Sequence, residues 1–220
     1  MPDIFDEAQR DYQAEQVQRA LRRYGWIPVV GFILLLVGVG GWKFLEARRH
    51  QADLAAAARF LPDTKQADTL VAGDKAGRIA VAKKLVNLAD HAPAGYRTLA
   101  RLRAAGLYAD AGQLTEAQTL WDLVARDPAA DPLLRQVASL LWVMRSLDTA
   151  DPNALRVRLL TQTTADDPYH DLAFELQALL DLRLGHVSAA RALLGRLMAD
   201  PELPSGQRGR DGAILTVLGN

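Results

Sequence analysis

The chain has 220 residues, half of them hydrophobic, with 26 basic against 26 acidic side chains and no cysteine. A zero net charge argues against nucleic-acid binding, whose affinity comes mainly from neutralised phosphates. The lack of cysteine excludes a disulfide framework, a thiol nucleophile and thiolate metal sites. Residues 1–25 carry their acids early and their arginines late, around Ile4, Phe5, Ala8, Tyr12, Val17 and Leu21. This order suits a helix macrodipole and predicts a short tail that is helical and solvated or interfacial.

An apolar block follows from Trp26 to Leu45, with one charge, Lys43, close to its exit. Twenty helical residues span roughly 30 Å, the thickness of a bilayer's hydrocarbon core. Trp26 and Trp42 stand at the two ends, where amphipathic rings favour the interface, and Lys43 can reach the headgroups along its stem. Pro28 falls in the first turn, where a missing N–H costs little. A signal peptide would begin its apolar region nearer Met1, so the block is predicted to be an uncleaved single-pass transmembrane helix. Gly31 and Gly38, seven residues apart, lie on one side of that helix and form a candidate packing face. Arg10, Arg19, Arg22 and Arg23 before the block balance Lys43, Arg48, Arg49 and Arg59 after it, so charge bias alone leaves the topology open.

Beyond the anchor the pattern is helical throughout. Two connecting helices are predicted within 46–93, at 46–60 and 75–91, the second with Ala82, Leu85, Val86 and Ala89 on one face. Helical spacing recurs at Leu114, Ala117, Leu120, Trp121 and Val124, and again at Val187, Ala190, Leu193, Leu194, Leu197 and Met198. Pro93, Pro128, Pro168 and Pro201 each end such a stretch, and a period near 34 residues marks paired-helix solenoids. The reading is therefore all-α: a single N-terminal transmembrane helix, then a solenoid of three helix pairs at 94–220.

The repeat is clearest at 101–128, where Ala105, Tyr108, Gly112, Leu114, Ala117, Trp121 and Pro128 resemble a tetratricopeptide repeat. Small residues are expected where two helices touch, Gly112 at the turn, and Tyr108 and Trp121 in the groove beside Ala117. Ala178, Gly185, Val187, Ala190, Leu194, Leu197 and Pro201 repeat the pattern, with Asp181 where the aromatic belongs. Between them, Asp131-Pro132, Asp151-Pro152 and Asp167-Pro168 each place a capping carboxylate before a proline suited to the first helical position. Leu133, Val137, Leu140, Leu141 and Met144 form one apolar face there, followed by a helix around Leu155, Leu159 and Leu160. Residues 206–219 are predicted to be a capping helix.

Chemistry is sparse. His50, His91, His170 and His186 show no mutual ligand spacing and read as solvated or helix-terminal. Gly38-Val39-Gly40-Gly41 sits inside the apolar block without the Lys-Ser/Thr of a phosphate loop, and Ser139, Ser188 and Ser205 lack a G-x-S-x-G setting. Asp148 and Asp166-Asp167 read as loop charges and caps. No catalytic residue, metal ligand or cofactor site is assigned, and the chain reads as a binding module, since paired-helix repeats supply an extended surface for peptides or proteins.

The order of parts, a charged tail, a span ending Gly40-Gly41-Trp42-Lys43 and Ala-rich divergent repeats, resembles the single-pass inner-membrane tetratricopeptide repeat-like proteins that are ancillary subunits of the bacterial SecYEG translocon. Tyr96-Arg97-Thr98-Leu99-Ala100-Arg101-Leu102 and Leu184-Gly185-His186-Val187-Ser188-Ala189-Ala190-Arg191 are similar to that family's repeat segments. The resemblance implies a cytoplasmic N-terminus, a periplasmic repeat domain, and Sec translocon subunits and periplasmic chaperones as partners, with export or folding of envelope proteins as the task. A scaffold that localises an envelope or cell-division complex without binding clients is the alternative.

Overall fold

The computed structural model describes residues 26–163 and 167–219, with side chains described over the same ranges apart from 26–36 and 40. The tail predicted at 1–25 lies outside them. Among the described residues nine helices follow one another: α1 (Trp26–Asp68), α2 (Lys75–His91), α3 (Ala94–Asp110), α4 (Leu114–Ala125), α5 (Pro132–Ser146), α6 (Pro152–Leu160), α7 (His170–Arg183), α8 (Val187–Ala199) and α9 (Ser205–Leu218). Among the described residues there is no strand.

The chain divides into two compact units, residues 1–52 and 53–220. In the first, the Lys43 ammonium meets the Glu46 carboxylate at 2.9 Å and the Arg48 guanidinium lies 4.8 Å from the centre of the Phe44 ring. Among the described residues no helix is long and apolar enough to cross a membrane. The Trp26–Leu45 block falls largely on side chains outside the described set. The helix predicted at 46–60 is part of α1, which continues through Pro62 to Asp68. Proline removes one intrahelical hydrogen bond, while Phe60 and Ala67 on either side pack into the core of the second unit.

That unit is a series of helical hairpins. α2 shares one core with α3, α4 and the start of α5, built on Val81, Leu85, Ala104, Ala105, Ala117, Trp121 and Val124. A second core joins α5, α6 and α7 through Leu140, Val143, Leu155, Leu159, Leu176 and Leu180. A third joins α7, α8 and α9 through Ala178, Ala190, Leu194 and Leu197. α3 also packs on α5 and α5 on α7, so the first helix of each hairpin touches the first helix of the next.

The hairpins share a register. Ala117, Leu155 and Ala190 are each the fourth residue of their hairpin's second helix, and Trp121, Leu159 and Leu194 the eighth. All six are buried. In the outer hairpins, alanine lets the two helix axes approach, and α3–α4 and α7–α8 are densely packed. The middle hairpin carries Leu155 at the close position, and α5 and α6 make much sparser contact. A side chain three carbons larger at a crossing holds the backbones apart.

The turns follow the same division. Gly112 and Gly185 have φ of 84° and 78°, a region that side chains with a Cβ avoid. The Gln113 N–H donates to the Tyr108 carbonyl and the Gly112 N–H to that of Ala109; the His186 and Gly185 N–H groups donate likewise to Asp181 and Leu182. Both turns are Schellman motifs, satisfying carbonyls that a helix end leaves open. The middle hairpin turns without glycine, through Asp148-Thr149-Ala150, with the Ala150 N–H donating to the Ser146 carbonyl at 2.8 Å.

Two of the three proline-flanked caps form as predicted: Asp131 accepts from the Leu133 N–H and Asp151 from the Ala154 N–H. Asp167 departs from the prediction. Its carboxylate accepts from the Tyr169 N–H at 2.9 Å and from Gln136 Nε2 of α5 at 2.8 Å, and α7 starts three residues later at His170. One carboxylate oxygen serves the turn before the helix and the other bonds across the hairpins.

Replacing Ala117 by Leu in the densely packed α3–α4 hairpin is expected to cost about 1–3 kcal/mol through overpacking. Urea unfolding of the purified chain checks this, and an unchanged midpoint would show that the position is not a close crossing.

Candidate functional site

Two stripes of half-exposed apolar side chains lie on the paired helices α3 and α5. On α3, Leu99 and Leu102 are followed by Gly106, at helical spacings of three and four. On α5, Leu133, Val137, Leu141 and Met144 lie on one side, with Leu133 45% and Met144 43% exposed. The sequence reading placed these α5 residues on one apolar face with Leu140. Only Leu140 of the five is fully buried, because α5 turns Ala138, Leu140, Val143 and Ser146 inward. Leu102 and Leu141 both rest against the first core. The stripes are edged by charge, with Arg145 Nη2 3.0 Å from Asp110 Oδ1 at the helix ends.

Polar ties recur from each hairpin to the next. Arg145 reaches Asp110 across 35 residues, Arg158 reaches Asp122 across 36, and Arg183 donates to the Leu147 carbonyl across 36 at 2.6 Å. Gln207 donates to the Asp171 carbonyl across 36 residues, and Arg210 holds Glu175 with two bonds, at 2.9 and 2.8 Å, across 35. Arg158 also lies 4.1 Å above the Trp142 ring. These separations are the repeat length expressed in side-chain contacts, and the sequence analysis, which followed apolar spacing, did not see them.

A cavity of about 260 Å³ opens between α7 and α8, lined by Thr163, His170, Asp171, Phe174, Leu193, Arg196, Leu197 and Asp200. His170 Nδ1 is 2.8 Å from the Asp167 carbonyl, to which it donates, and Nε2 is 3.0 Å from Asp171 Oδ1. His170, Asp171 and Asp200 bring one potential ligand atom each within 4.8 Å of one another. Asp200 Oδ1 already accepts from the Glu202 N–H at 2.8 Å, and Arg196, stacked on Phe174, shares the cavity. Asp200 thus has an N–H partner of its own, and a guanidinium lies in the same cavity. Sequence spacing missed this gathering because Asp200 arrives from a different helix.

The repeat residues singled out in the sequence lie inside the hairpins. Ala105, Ala117, Ala190 and Leu194 are fully buried, Trp121 nearly so, and Tyr108 borders on burial. Burial, and then the Glu116 carboxylate, raises the Tyr108 hydroxyl above its ordinary pKa. Of the residues predicted to form an anchor, Trp42 and Lys43 are exposed, Gly38 has open space where a Cβ would stand, and Trp26 and Gly31 lie outside the described side chains.

The model of the tetratricopeptide repeat-like domain matches residues 18–192. The chain belongs to the tetratricopeptide repeat-like family. Comparison with curated proteins and with solved structures gives no match. Tetratricopeptide repeat-like domains are protein-interaction modules, stacking hairpins into an extended concave surface that takes peptides or other proteins. The exposed stripes on α3 and α5 are one part of this repeat domain suited to that role, since exposed apolar side chains grouped on packed helices mark interaction surfaces.

Leu133→Glu combined with Met144→Glu is expected to change stability by about 0.5 kcal/mol or less per site, as for exposed positions, while abolishing capture of apolar peptides on an array. A large stability loss in urea unfolding would place both side chains in the core instead.

Proposed function

We propose that the chain is a membrane-tethered interaction protein that assists export or folding of envelope proteins at the Sec translocon, together with periplasmic chaperones. The observation that carries the reading is the joining, in one chain, of a twenty-residue apolar block at Trp26–Leu45 to a tetratricopeptide repeat-like domain. In this reading the block is a transmembrane helix with residues 1–25 in the cytoplasm and the repeat domain in the periplasm. The resemblance of the tail, span and repeats to ancillary translocon subunits supports that orientation. A tether confines the repeat domain to the membrane surface, which raises its effective concentration near any partner embedded there. The α3–α5 stripes would then meet extended or partly folded apolar segments as they emerge.

A reporter active only outside the cytoplasm should work when fused after Asn220 and fail when fused at Met1, and purification in mild detergent should recover translocon subunits. The opposite fusion pattern would overturn the topology. Recovery of division proteins in place of translocon subunits would favour the scaffold reading.

The anchor itself is proposed to contact a partner helix through Gly31 and Gly38. In lipid, small residues let backbones approach closely enough for dispersion contacts. Replacing both by Leu makes the span more apolar, so insertion should persist while recovery of a membrane partner falls. Undiminished recovery at equal expression would move recruitment to the repeat domain.

A further inference from the structure

We infer that α9 is a proton-controlled cap on the last hairpin, with Asp211 as the group that takes up the proton. Asp211 is fully buried where α9 meets the hairpin, and neither of its carboxylate oxygens has a hydrogen-bond partner. A buried carboxylate without a partner strongly disfavours its charged form. The charged groups on the neighbouring helices do not relieve it. On α7, Glu175 is itself buried and Asp171 adds further negative charge. On α9, Arg210 is engaged by both oxygens of Glu175, and Arg208 donates instead to the Met198 and Asp200 carbonyls at the end of α8. On α8, Arg191 donates to the Leu218 carbonyl, and Asp200 is held by the Glu202 N–H.

These ties, with Gln207 and the apolar contacts of Ile214, Leu215 and Leu218, dock α9 over the face formed by Ala178, Leu194 and Leu197. Asp211 opposes them when ionised. Burial first, and then repulsion from Glu175, partly offset by Arg210, push its carboxyl from 3.8 up to about 6. The docked state therefore binds more protons than the undocked state between these two values. Docking is strongest near pH 4, weakens as pH rises through 6, and levels off once the carboxyl is ionised in both states. Release of α9 uncovers the apolar edge of α7 and α8, so protons control access to the end of the repeat array.

The chain has no cysteine of its own, so spin labels can be placed at two introduced ones, Ala189→Cys on α8 and Val217→Cys on α9, both exposed positions. Pulsed electron–electron distance measurements on the full chain should show one narrow separation at pH 5. The ratio of docked to undocked populations should fall about ten-fold by pH 8. Asp211→Asn should hold the narrow separation at every pH, and Glu175→Gln should move the midpoint to lower pH. A wild-type distribution identical at pH 5 and pH 8 would overturn the proposal. So would an Asp211→Asn variant that still responds to pH, because the response would then belong to another group. An unmoved midpoint in Glu175→Gln would count equally against it.

Discussion

The distance at which the two helices of a hairpin can cross governs the rest of this fold. Where the fourth residue of the second helix is alanine, at Ala117 and Ala190, backbones approach closely, and the bulky eighth residue, Trp121 or Leu194, fills the space beyond the crossing. Close approach demands a short, sharply turned connection, and Gly112 and Gly185 supply the left-handed residue that such a turn requires. The same offsets separate both pairs, since Ala105, Tyr108, Gly112, Ala117 and Trp121 each have a counterpart 73 residues on, at Ala178, Asp181, Gly185, Ala190 and Leu194. One packing constraint thus accounts for the alanine, the glycine and the spacing between them.

Side-chain ties between hairpins then fix how one unit stacks on the next. Most are arginine or glutamine bonds to a carboxylate or to a carbonyl at a helix end, where the dipole favours a cation. Their contribution to stability is modest where they are exposed. Their geometric value is larger, because a guanidinium fork admits only a few relative positions of the helices that carry its partners. Tyr108 shows what a near-exact repeat can vary: its counterpart Asp181 places a carboxylate 3.5 Å from His186 Nδ1 instead of a ring.

Much of the helical architecture was legible in the sequence because it rests on local chemistry. Breakers and apolar spacing gave α2 at its observed bounds, and Asp131 and Asp151 announced the starts of α5 and α6. Local signals failed where a distant partner decides the outcome. Asp167 has a good capping sequence, yet one of its oxygens serves the turn at Tyr169 and the other Gln136 of α5, and the helix starts only at His170. The apolar run on α5 is wider than the strip its neighbours cover, so on that one apolar face Leu140 is buried while Leu133 and Met144 stay exposed. The gathering of His170 with Asp200, and the burial of Asp211 among carboxylates, depend on how helices stack and have no trace in spacing. The apolar block at 26–45 is the reverse case, plain in composition yet outside what tertiary packing describes.

The substitution of Leu155 at the crossing position of the middle hairpin reaches beyond its own pair of helices. In a linear array each unit is held only by its neighbours, so cooperativity is limited by the weakest coupling along the line. The short α6, loosely joined to α5, is that coupling. Sub-global openings with lower free energy than complete unfolding start where packing is thinnest, which divides the array into two blocks, α2–α5 and α7–α9, able to protect their amides independently. A polypeptide bound across α3 and α5 would lie next to this joint, and its binding energy could be spent on changing the pitch between the blocks without melting either.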